Sequence, residues 1–163
     1  MQRIKSFNLI VLLFLLLNTN NLLSQLNEEV RFKEFFNKIK KTTQLQKNEK
    51  LVLFFVSLGS CPGCVKIEKI LNFFEEKQIK NIKIVAVVHC TRKRDLETFK
   101  DIYKWQHYIV KYDNSLFLKY DLSTNTLLAL LNFEGNLIWK YNINDNPNFT
   151  SLCNQLLYFL NNK

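Results

Sequence analysis

The apolar positions along this 163-residue chain change period several times, and each change marks an element. Residues 28–46 place Val30, Phe32, Phe35, Phe36 and Ile39 at near-helical spacing. Leu51 to Leu58 is instead a nearly continuous apolar run with a β-branched and aromatic bias, which predicts a strand covered on both faces. Helical spacing returns over 63–77 through Cys64, Ile67, Ile70, Leu71 and Phe74. Residues 82–88 (IKIVAVV) predict a second buried strand. A helix is expected over 94–107, with Leu96, Phe99, Ile102 and Tyr103 on one face. Residues 108–120 read as a short extended piece, Tyr108 to Tyr112, and a helical turn through Leu116 and Phe117.

Two apolar runs follow, Leu127 to Phe133 and Leu137 to Tyr141. Glu134-Gly135-Asn136 between them is a hairpin signal in which glycine supplies positive φ. A last helix is expected from about Pro147, through Phe149, Leu152, Leu156, Leu157 and Leu160. Two strands joined through a helix lie parallel with a right-handed crossover, and the hairpin adds antiparallel strands. The order predicts an α/β fold with a mixed central sheet and helices on both faces.

Composition narrows the class. Apolar residues make up 47% of the chain, with 14 Phe and 6 Tyr, so a globular domain with a real core is expected rather than disorder. Three glycines and two prolines argue against a loop-rich scaffold. The first residues read as an export leader: basic Arg3 and Lys5, an apolar stretch from Ile10 to Leu17, then polar Asn18 to Asn21. Eight strictly apolar residues are few for a membrane span. The expected division is a signal peptide over 1–24, cut after Ser24, and one domain over 25–163. An uncleaved leader would keep the chain in contact with a membrane.

Removing Arg3 and Lys5 takes Lys+Arg from 23 to 21 against 14 Asp+Glu, a net of +7. The charges are scattered (Lys38, Lys40, Lys41, Lys47 and Lys50, then Arg92, Lys93 and Arg94), and no recognition motif accompanies them. A solvated surface able to meet anionic lipid or acidic partners is expected, not a nucleic-acid site.

The chemistry concentrates at Cys61-Pro62-Gly63-Cys64, between the 51–58 strand and the helix after it. A C-x-x-C at a helix start holds two thiols on one turn, and the helix N-terminus favours a thiolate there. Cys61 would be the exposed nucleophile and Cys64 the resolving thiol. Pro62 fixes φ in the first turn with no N–H to lose, and Gly63 leaves room for a docked peptide. The other readings of the pair are an inert local disulfide or half of a metal site. His89, Cys90 and Cys153 are the remaining ligand candidates, at separations that fit no zinc ribbon or finger. Cys90 reads as a strand-end residue beside His89, Cys153 as small apolar packing, and His107 as a surface or boundary residue; a Cys90–Cys153 disulfide stays open.

The strand LVLFFVSLGS, the CPGC turn, the helix VKIEKILNFFEEK, the strand IKIVAVV and the pattern YDLSTNTLLALLNFEGNLIWKY together resemble the thioredoxin superfamily. In particular they resemble the exported TlpA/ResA-like thiol–disulfide oxidoreductases, over about residues 45–162. The resemblance implies a thioredoxin-like three-layer sandwich and disulfide exchange with cysteine-containing envelope proteins. It also implies a recycling redox partner, no organic cofactor, and a periplasmic or membrane-associated location. Three positions depart from the family pattern. Thr126 stands about where the cis-proline that helps dock substrate is expected, Phe55 where many thioredoxins carry a buried carboxylate, and Ser60 where an aromatic residue is common. Phe55 and Thr126 leave open a non-catalytic interaction module, and the absent proline a soft-metal-handling protein using the same cysteines.

Overall fold

The computed structural model describes residues 27, 29–57, 64–90, 92, 94–122, 126–142 and 148–161. The expected leader, 1–24, lies outside the described residues. The elements are α1 (29–43), β1 (Lys50–Ser57), α2 (Cys64–Glu76), β2 (Ile82–His89), α3 (Arg94–Ile102), β3 (Tyr108–Lys111), α4 (Asn114–Tyr120), β4 (Thr126–Leu131), β5 (Leu137–Asn142) and α5 (Phe149–Asn161).

The five strands form one mixed sheet in the order β3-β2-β1-β4-β5. β1 runs parallel to β2 and antiparallel to β4, β3 is parallel to β2, and β4 and β5 form the antiparallel hairpin. β1 is central, and its two alternating sets of side chains serve two separate cores. Val52, Phe54 and Val56 pack with Ile67 and Ile70 of α2, Phe99 of α3 and Leu152 and Leu156 of α5. Leu51, Leu53 and Phe55 pack with Phe32, Phe36 and Ile39 of α1 and Leu116 and Tyr120 of α4. That division explains the uninterrupted apolar run and produces three layers, with helices on both faces.

Helix ends show where the sequence pattern overran. The expected helix over 94–107 stops at Ile102, which is 62% exposed, and Tyr103 is also exposed. Lys104 adopts a left-handed φ of 47°, and the Trp105 N–H returns 3.0 Å to the Lys100 carbonyl. Trp105 is then buried on Phe54 and Phe99, so the apolar period continues in sequence while the chain has turned. In α1, Val30 faces solvent because it lies two residues, over half a turn, from Phe32. Residues 108–120 resolve into a short strand and a seven-residue helix capped by Asp113, whose carboxylate accepts from the Ser115 N–H at 2.9 Å. α5 begins at Phe149, which is itself exposed, with Asn148 Oδ1 accepting from the Ser151 N–H at 2.8 Å. Pro147 lies outside the described residues.

Phe133 falls in the turn, not in β4, because Asn132 closes the hairpin: its carbonyl accepts from Gly135 N–H at 3.1 Å and its side chain from Asn136 N–H at 2.7 Å. Gly135 has φ +88°, and a Cβ there would lie 2.9 Å from the Phe36 ring. The hairpin tip is thereby seated on α1.

Candidate active site

The C-terminal ends of the parallel strands β1 and β2 lie side by side, with Ser57 opposite His89 in the ladder. In open α/β sheets, ligands bind outside such carboxyl ends. β1 ends at Ser57, and Cys64 is the first residue of α2. Cys61, Pro62 and Gly63 lie outside the described residues; of Cys64, the backbone position is fixed. α2 is held to the sheet by buried Ile67, Ile70, Phe73 and Phe74, so packing aims its N-terminus. Lys66, in the first turn, donates from Nζ to the Tyr141 hydroxyl at 3.1 Å.

Thr126 is the first residue of β4 and is 4% exposed. Its Oγ1 donates to Asn142 Oδ1 at 2.9 Å. β4 carries Leu128 opposite Phe54, which brings Thr126 alongside the end of β1. There it lines a cavity of about 300 Å³ with Phe55, Val56, Val87, His89, Tyr112 and Phe117. Sequence reasoning placed Thr126 near the dithiol but missed Asn142, Tyr112 and Phe117 as its surroundings. Thr126 pairs with Asn142 across a hairpin ladder with two register irregularities, which an even count outward from Gly135 does not reach; Tyr112 follows β3 and Phe117 lies in α4, with no local signal of a site.

Phe55, where a carboxylate is common in the resembling family, is buried with its ring edge-on to Phe117 at 5.1 Å. Cys90 is half-buried just beyond β2 and Cys153 is buried in α5; both are free thiols, so the open disulfide between them is not formed. Burial raises the pKa of each; at Cys90 Lys111 opposes and Asp95 adds to this, and at Cys153 Glu76 adds to it. Both thiols are therefore biased towards the protonated, unreactive form. Among the described residues, no three His, Cys, Asp or Glu side chains gather as a metal site would require. Nor is any helix among them long and apolar enough to cross a membrane.

No family model and no curated protein matches the chain. Solved structures do match. The thioredoxin domain of a thiol-disulfide oxidoreductase from Bacteroides vulgatus aligns at TM-score 0.54 and 17% identity, over 71% of this chain and 81% of that one. StoA from Bacillus subtilis aligns at TM-score 0.51 and 21% identity, over 68% and 84%. A thiol:disulfide interchange protein from Bacteroides sp. aligns at TM-score 0.53 and 16% identity, over 71% and 76%.

The chain has the thioredoxin fold. Within that fold, the end of β1 at Ser57, the start of β4 at Thr126 and the end of β2 at His89 all belong to one end of the sheet.

Proposed function

We propose that this protein is an exported thiol–disulfide oxidoreductase acting through Cys61 and Cys64 on cysteine-containing envelope proteins. One observation carries the reading: the C-x-x-C of the sequence ends on the first residue of α2, directly after the central strand of a thioredoxin fold. The names carried by the structures of like fold, thiol-disulfide oxidoreductase and thiol:disulfide interchange protein, support it.

The Cys61 thiolate attacks one sulfur of a substrate disulfide. The substrate S–S bond breaks, a Cys61–substrate disulfide forms, and one substrate thiolate leaves and takes a proton. The Cys64 thiolate then attacks Cys61 Sγ and releases the second substrate thiol. The substrate gains two electrons and the 61–64 pair is left oxidised, until a redox partner reduces it. The same steps in reverse oxidise a dithiol substrate. A helix N-terminus directly after a C-x-x-C favours the thiolate of its first cysteine, typically bringing such a thiol from about 8.5 to roughly 3.5–7.5. No Lys or His stands between the two cysteines, so a moderate oxidant or reductant is expected. Reduction of a model disulfide, lost in Cys61→Ser, is the test. Unchanged turnover in that variant would overturn the assignment.

A further inference from the structure

The cavity at the end of β1 and β2 has a built wall. Phe55 meets Phe117 edge-on at 5.1 Å, Phe117 meets Tyr112 at 4.7 Å, and Tyr112 meets the His89 imidazole edge-on at 4.9 Å. Four rings from two strands, a strand end and a helix thus run in unbroken contact from the core to the exposed His89. Val87 and Thr126 also line the space. No Asp, Glu, Lys or Arg lines it among the described residues. The two hydroxyls on it donate elsewhere, Thr126 to Asn142 Oδ1 and Tyr112 to Asn114 Oδ1, each at 2.9 Å.

From this geometry we infer that the cavity is a specificity pocket, taking an aromatic or large aliphatic side chain that flanks the substrate's cysteine. The inference rests on the oxidoreductase reading for the source of the occupant, since the pocket adjoins the strand that leads to Cys61. Size and chemistry choose the class. An apolar cavity of about 150 Å³ already holds a benzene ring. A volume of about 300 Å³ therefore accommodates a ring and its stem. Quadrupolar rings receive another ring edge-on or offset. A charged side chain would lose its hydration there without gaining a counter-charge. The apolar Phe55 extends the ring wall into the core, where a carboxylate would have made the floor polar.

The test uses the full chain and two peptides, each holding one cysteine as a glutathione mixed disulfide, flanked by Phe in one and by Ser in the other. Reduction of the Phe peptide is expected to exceed that of the Ser peptide in kcat/KM by about 10-fold or more, the scale set by apolar pockets. His89→Trp, which crowds the exposed mouth, should shrink that ratio, and so should Phe117→Leu, which removes one ring from the wall but keeps the site apolar. Equal rates on the two peptides with the unaltered chain would overturn the pocket while leaving the oxidoreductase reading intact. If neither peptide is reduced, that reading fails and the pocket is judged by binding alone. The Phe peptide with Ser for Cys should then shift the His89 ring and Thr126 amide NMR signals of the Cys61→Ser, Cys64→Ser chain; the absence of a shift overturns it.

Discussion

Thr126 Oγ1 donates to Asn142 Oδ1 at 2.9 Å, tying the first residue of β4 to the last residue of β5. The bond closes the open end of the hairpin at the end of the sheet where β1 leads towards Cys61. It also supplies a partner for a hydroxyl that is almost fully buried. A residue without proline's rigidity is thereby fixed by a side-chain hydrogen bond.

Thr126→Val keeps the shape and removes the donor. Stability measured by urea unfolding should fall by about 1–2 kcal/mol, while Thr126→Ser should retain most of it. Equal stability of the Val variant and the unaltered protein would mean that the bond contributes nothing.

Lys50, at the start of β1, donates from Nζ to the carbonyls of Phe159 at 2.7 Å and Leu160 at 2.8 Å. These carbonyls belong to the last turn of α5, where helix acceptors lack intrahelical partners and a cation suits the dipole. Lys50→Met should cost about 1–3 kcal/mol. Amide exchange should accelerate in the last turn of α5 before it does in the sheet; uniform acceleration would argue against a local cap.

Tyr120 is buried under α1 and donates its hydroxyl to the Gly135 carbonyl; burial pushes its pKa well above the usual phenol range. The unfolded chain loses that proton near pH 10 while the folded chain keeps it, so the native state binds more protons above that pH. This contribution to stability is complete below about pH 10 and declines as pH rises beyond it. Tyr120→Phe should be less stable at neutral pH by about 1 kcal/mol, yet show a shallower alkaline decline in urea unfolding. Parallel alkaline limbs in the two proteins would contradict this.

The mixed sheet, with its parallel pair and its antiparallel hairpin, was legible because β1 and β2 carry apolar runs of strand length and Gly135 marks the hairpin; the order of the strands across the sheet was not. Nor were the helix ends. α1, α2, α3 and α4 are each followed by a left-handed residue that is not glycine: Gln44, Gln78, Lys104 and Asp121. After each, Leu45, Ile79, Trp105 or Leu122 donates its N–H back to a carbonyl five residues earlier. This stop usually announces itself with glycine. With three glycines in 163 residues, the chain uses side-chain burial at the following position instead, and an apolar residue there reads as one more helical position.

The same distinction holds at the site. Cys61 to Cys64 is a local motif, readable from four consecutive residues. The pocket at the end of β1 is assembled from β1, β2, β4, α4 and the residue after β3. None of its side chains is unusual until the parallel register brings His89 level with Ser57 and the hairpin brings Thr126 to the same end. His89 accordingly reads from sequence as a strand-end residue, and only the fold brings it to the pocket.

The reduction potential of the Cys61–Cys64 pair, measured by equilibration of the full chain with a glutathione or dithiothreitol buffer, decides whether the two thiols exchange. A value between about −120 and −270 mV is expected, that of an exchanging dithiol. A value below about −300 mV would identify a structural bridge and contradict the assignment of an oxidoreductase.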